Sequence, residues 1–158
     1  MNLNYTKEGF LFQGIYELSL DEVECEFVKD KSQRRGNIFE NYKTHLDEIK
    51  ATGCCLNHWI DGSFVTLKEN PNDIDTLTEF DGEKVENLGI KDLIDKIIFD
   101  APLTTDGYCH SFLMYKFPKS RKKDYADYLK YKSTMLFVLF SGIKNSMNLK
   151  GFVKLRGY

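Results

Sequence analysis

At 158 residues the chain has the length of one compact domain, one that buries roughly two-thirds of the surface its unfolded form exposes. Its 22 Lys and Arg against 24 Asp and Glu leave a formal net charge of −2, which excludes a protein that holds DNA by a bulk basic excess. Hydrophobic residues at 42% and charged residues at 29% exclude disorder over most of the chain.

The longest apolar run, Met135 to Phe140, is far shorter than a membrane span. The N-terminal sequence MNLNYTKEGF carries neither the basic start nor the apolar stretch of a signal peptide, so a soluble cytoplasmic protein without a membrane partner is expected. The four cysteines fit no zinc spacing, and the adjacent pair Cys54-Cys55 is poor disulfide geometry; reduced thiols are expected.

In chain order, a loop-like start gives way at Ser19, which with Glu22 forms a capping-box signature and opens a helix from Leu20 to about Val28. A second helix is expected from Gln33 to Lys50, with Ile38, Tyr42, Leu46 and Ile49 on one stripe, a charged opposite face in water, and Gly53 as its stop. Cys54 to Ile60 is too short for a helix and apolar enough for a central strand, which runs into the turn Asp61-Gly62-Ser63. After the polar loop Lys68 to Asn72, a strand is expected over Ile74 to Phe80, closed by Asp81-Gly82.

Leu93, Ile94 and Ile97 mark a helix from Ile90 to Ile98, with Pro102 stopping anything that continues it. Tyr108 to Phe117 reads as a third strand ended by Pro118. Asp124 to Phe140 reads as a helix whose all-apolar end must be buried on every side. A turn over 144–148 then leads to a last strand from Gly151 to Leu155. Strands interleaved with helices define an α/β or α+β layered domain spanning residues 1–158, a small mixed sheet flanked by helices.

The residues richest in chemistry lie between Trp59 and Asp75. On a strand, residues two apart share a face, so Asp73 and Asp75 would stand about 7 Å apart on one side and together grip a hard cation. Mg²⁺ is bound by one or two carboxylates completed by substrate phosphates and water. Gly62 permits close backbone approach, and Ser63 offers a hydroxyl and an amide to phosphate. Lys68 is placed either to neutralise phosphate charge or to keep its loop soluble.

An Asp-x-Asp by itself is more often a solvated turn than a site. Here it follows a strand ending in Gly-Ser and a polar loop, and in that layout the chain resembles the nucleotidyltransferase superfamily. Over most of its length it also resembles a bacterial and phage family of uncharacterised proteins, DUF6932. That likeness rests on Gly14-Ile15-Tyr16-Glu17-Leu18-Ser19-Leu20, Asp61-Gly62-Ser63-Phe64-Val65-Thr66 with Lys68, Pro71-Asn72-Asp73-Ile74-Asp75, and Lys150-Gly151.

The resemblance implies a nucleotidyltransferase-type fold, a nucleoside triphosphate bound at Gly62, Ser63 and Lys68, and Mg²⁺ or Mn²⁺ at the catalytic acids Asp73 and Asp75. The acceptor it implies is a protein, an RNA end or a small molecule. Members of the superfamily usually carry a third carboxylate on a later strand. Here that third-acid position is His110, and a Gly-Arg after the Ser is also absent. The alternative reading is therefore a weak or inactive transferase-fold module that binds a partner protein in a toxin–antitoxin or phage-defence pair.

Other groups weigh less. The basic run Lys116, Lys119, Arg121, Lys122 and Lys123, interleaved with Tyr115 and Phe117, reads as a solvated loop ahead of an RNA contact. His45 and His58 read as structural.

Overall fold

A computed structural model of the protein describes residues 3–142 and 148–157. Ile15–Leu18 forms β1 and Leu20–Phe27 forms α1. The α1 start is the capping box expected from sequence: Ser19 Oγ accepts from the Glu22 amide at 3.2 Å, and the Glu22 carboxylate accepts from the Ser19 amide at 2.7 Å. The strand before it was not legible, because four residues at a sheet edge are too few to show a period.

Helix α2, Gln33–Ala51, buries Ile38, Tyr42, Leu46 and Ile49 completely, as its stripe predicts. Its polar side is not all in water, since Arg35 and His45 are buried too. Gly53, at φ +63°, lets the chain turn out of the helix into β2, Cys55–Asp61. Cys54 lies buried just ahead of that strand and Cys55 half-buried within it, and Cys25, Cys54, Cys55 and Cys109 are all free thiols.

β3, Ile74–Asp81, runs antiparallel to β2. Asp81-Gly82 does not simply end it: Gly82–Leu88 is a helix, α3, capped by the Asp81 carboxylate accepting from the Lys84 amide at 3.0 Å. Strand-to-helix transitions without an intervening loop look like turns in sequence. α4 follows over Lys91–Phe99. Pro102 does not stop the chain from coiling, because it sits in the first turn of a short helix α5, Ala101–Thr104, where its missing N–H has no helical partner to lose.

β4, Cys109–Lys116, pairs parallel with β3, and α6 spans Lys122–Thr134. The apolar end expected to be buried on every side is instead a π-helical segment, Met135–Phe140. It buries Met135 and Phe140 but leaves Phe137 62% exposed. Of the expected turn over 144–148, residues 144–147 lie outside the described residues. β5, Phe152–Leu155, completes a mixed five-stranded sheet in the order β1-β5-β2-β3-β4. This is an α+β fold, and none of the described helices is long and apolar enough to cross a membrane.

The two sheet faces differ. On one, Trp59, Leu77 and Met114 pack with Tyr128 of α6 and with Met135 and Phe140. On the other, the sheet meets α2: His45 Nε2 lies 2.8 Å from Ser111 Oγ, and Tyr42 stacks on His58. The fully buried Glu79 is matched with Tyr128 at 3.0 Å and Lys132 at 2.6 Å, which ties α6 to β3.

Candidate functional site

Strand register assembles the site. Asp61 at the end of β2 lies opposite Asp75 on β3, and Asp75 lies opposite His110 on β4. Directly opposed residues share a face, so the three side chains form a row across the strand ends. The row beneath, Trp59, Leu77 and Phe112, belongs to the apolar cluster under α6, which closes the floor.

Asp73 stands one residue before β3, yet its carboxylate reaches the same place: His110 Nδ1 is 3.8 Å from Asp73 Oδ2 and 3.7 Å from Asp75 Oδ1. A cavity of about 860 Å³ opens over the acids, with Asp61, Gly62, Ser63, Lys68, Asp73, Asp75 and Lys150 in its walls. That volume is in the range of small-molecule sites.

Gly62 is required where it stands. Its φ of +79° is a left-handed conformation that costs other residues about 1–2 kcal/mol, and a Cβ there would lie 1.9 Å from Asp75 Oδ2. The absent side chain is the space the Asp75 carboxylate occupies. Gly62–Val65 then forms a single 3₁₀ turn that carries Ser63 to the cavity wall.

The loop from that turn to Asp73 is held by the first residues of α2, a role their sequence did not signal. The Arg35 guanidinium, 3% exposed, donates to the carbonyls of Phe27 (2.9 Å), Phe64 (2.7 Å), Thr66 (2.8 Å) and Lys68 (2.6 Å). Arg34 donates to the Pro71 and Asn72 carbonyls at 2.8 and 2.9 Å, and Ser32 to the Glu69 carbonyl at 2.8 Å. A planar fork of five N–H donors suits a coil of carbonyls that no strand or helix satisfies.

Asp61 and Lys150 both stand in motifs that carry the family resemblance, but nothing in the sequence signalled that they pair at the cavity's inner edge. Lys150, just before β5, is 7% exposed and donates to the carboxylate of Asp61, which is 3% exposed, and to the Phe140 carbonyl at 3.0 Å. Burial pushes the Asp61 carboxyl up to about 6, although Lys150 and the Gly62 backbone oppose the change. Burial, and then the charge of Asp73, raise Asp75 above the usual carboxylate range, with His110 and Lys150 acting the other way.

Two half-buried carboxylates, one raising the other's protonation, are a donor set that a hard cation would relieve. Among the described residues no group of three or more His, Cys, Asp or Glu is gathered closely enough to hold a metal ion by itself. Asp73 and Asp75 would supply an ion with only two carboxylates, and its other ligands would have to come from water or a substrate.

The basic run is not one positive field. Arg121 is bound to Asp124 at 2.6 Å and to Glu86, and lies over the Phe117 ring at 4.1 Å, while Lys116 is 3.9 Å from Glu79. Neither His45 nor His58 reaches the cavity walls.

The fold and cavity define a small α+β protein with a mixed sheet and a cluster of acids at one end of it. The chain belongs to a family described as a family of unknown function (DUF6932), whose model matches residues 3–156. No curated protein and no solved structure matches it.

Proposed function

We propose that the protein binds a nucleoside triphosphate together with Mg²⁺ or Mn²⁺ and transfers a nucleotidyl group to an acceptor hydroxyl, as members of the nucleotidyltransferase superfamily do. The observation that carries this reading is the convergence of Asp73 and Asp75 on one cavity whose wall is the Gly62-Ser63 turn, with Gly62 packed against the Asp75 carboxylate. Asp73 and Asp75 hold the ion in this reading, Ser63 receives phosphate, and Lys68 offsets its charge from the cavity lip.

In the reaction the acceptor oxygen bonds to the α-phosphorus while the bond from that phosphorus to the α,β-bridging oxygen breaks. Pyrophosphate leaves with the electron pair, and the hydroxyl proton passes to water. The bound ion supplies stabilisation of charge on the phosphate oxygens. The protein's own share is to hold the triphosphate in line, which the clamped loop between Ser63 and Asp73 favours. A protein hydroxyl, an RNA end and a small molecule all satisfy this chemistry as acceptor.

A second reading is a module that keeps the cavity but acts by binding a partner protein, as in a toxin–antitoxin or phage-defence pair. His110 in front of the two acids favours it, because an imidazole adds no negative charge to an ion site. Calorimetry with each nucleoside triphosphate, with and without Mg²⁺, separates the two. The transferase reading expects metal-dependent binding that Asp75→Asn weakens. Absence of nucleotide binding in the parent, or unchanged affinity in the variant, favours the module.

A further inference from the structure

Lys150 has no part in the reading above, yet it is the cation set deepest in the cavity wall. Lys7 and Lys68 line the same cavity from exposed positions. An ammonium has three N–H donors; Asp61 and the Phe140 carbonyl take two, and the side chain borders the cavity where a third can be received. A lysine is seldom buried without a counter-ion, and a buried ion pair is a poor stabiliser compared with apolar residues of the same size. Packing alone therefore gives little reason for this pair to stand at the end of β2.

The order of charges across the sheet suggests what it receives. Going from β5 to β4 the strand ends present Lys150, then Asp61, then Asp75 with Asp73 beside it, then His110. The carboxylates able to hold an ion stand at β3, and Lys150 enters from the β5 side with its ammonium carried to Asp61 on β2, one strand spacing or about 5 Å from Asp75. The Gly62-Ser63 turn lines the same cavity. An anion bound at β3 through an ion, and extended along the row of strand ends past Asp61, meets Lys150.

We propose that Lys150 is a phosphate-binding cation of this cavity, held and aimed by Asp61, and that it receives the phosphate chain of the substrate at the end away from Asp73 and Asp75. This rests on the transferase reading for the identity of the substrate, while the anion site itself needs no metal. Asp61 competes with the phosphate for the ammonium and also keeps it oriented when the cavity holds no anion.

Calorimetry with inorganic triphosphate in EDTA tests the site, using the parent, Asp61→Asn and Asp61→Asn/Lys150→Met, with thermal unfolding of each. The parent is expected to bind without metal. Asp61→Asn should bind more tightly, since the competing charge is gone. The double variant, which buries no unpaired charge, should bind about tenfold or more weakly than Asp61→Asn, the loss expected of one hydrogen bond to a charged group. A pair kept only for structure would shift both variants alike.

Equal affinity of Asp61→Asn and the double variant, or no binding by the parent in EDTA, overturns the proposal. Should the double variant fail to fold, acylation of Lys150 in the parent, followed by mass spectrometry, tests the same contact: triphosphate must slow it, and an unchanged rate overturns the site. Repeating the titration with Mg²⁺ separates the two readings. Metal-free binding that depends on Lys150, without any gain from Mg²⁺, keeps this site and removes the transferase reading; a gain from Mg²⁺ with no dependence on Lys150 does the reverse.

Discussion

His110 faces both acids of the site at once, its Nδ1 3.7 Å from Asp75 Oδ1 and 3.8 Å from Asp73 Oδ2. Those separations exceed a formed hydrogen bond, so the ring is a neighbour of the carboxylates rather than locked to them. A neutral imidazole is a poorer ligand for Mg²⁺ than a carboxylate. His110→Asp is expected to tighten Mn²⁺ binding by about tenfold, the effect of one added charge at near contact in a solvent-accessible site. Parallel Mn²⁺ titrations of parent and variant check this. Equal affinities would mean that residue 110 lies outside the ion's reach.

Gly62→Ala is the sharpest probe of the turn. The new methyl group meets Asp75 Oδ2 and a left-handed backbone at once, so either the carboxylate or the turn must move. A stability loss of about 2 kcal/mol or more is expected. Nucleotide affinity should fall with it, measured by denaturant unfolding alongside calorimetry. A variant as stable as the parent, with unchanged binding, would show that Asp75 has room to withdraw.

The two arginines at the start of α2 should separate stability from binding. Arg35→Lys keeps a charge but cannot reach four carbonyls, and should cost about 3 kcal/mol through buried carbonyls left unpaired. Arg34 is only half-buried and holds the two carbonyls just before Asp73. Arg34→Ala should cost about 1 kcal/mol in unfolding yet weaken metal-dependent nucleotide binding several-fold, roughly the effect of a loosened ligand loop. Equal losses of stability for both would contradict this division.

Acid should destabilise the protein before most of its carboxylates titrate. Burial lowers His45 to about 4 and His58 to about 3, against an ordinary value of 6.5, so both stay neutral when folded and take up protons when unfolded. The unfolded state then binds more protons below pH 6.5, and stability falls as pH drops from 7 toward 4. By pH 5 the loss is about 2 kcal/mol for each imidazole. Asp61, raised to about 6, acts in the opposite direction over the same window and returns about 1 kcal/mol. The two histidines therefore set the sign. Unfolding curves at pH 7 and pH 5 check it, and a flat profile would show that the imidazoles reach water.

Much of the architecture could be read locally. The Ser19 and Glu22 capping box, the Ile38, Tyr42, Leu46 and Ile49 stripe, and the strands on either side of Gly62-Ser63 all follow from short-range spacings along the chain. Strand alternation also pointed to Asp73 and Asp75 as neighbours, although Asp73 lies one residue ahead of β3 and only Asp75 is on the strand. Local spacing fell short at Asp81-Gly82, which closes β3 as expected but also opens α3 without a loop, and misled where Pro102 opens a helix instead of ending one.

What the sequence by itself determined is therefore the set of elements that carry a period or a cap, and the short segment from Gly62 to Asp75 that holds the acids. Only the tertiary structure decided what surrounds those acids. Lys150 meets Asp61 across 89 residues, Arg34 grips a loop 37 positions away and Arg35 one 29 positions away, and His110 faces Asp75 through strand register. Contacts of that kind leave no period in the chain. They depend on which strand ends close against one another, and on buried charges and carbonyls finding partners there, a requirement that fixes the partners in space but not their separation in sequence.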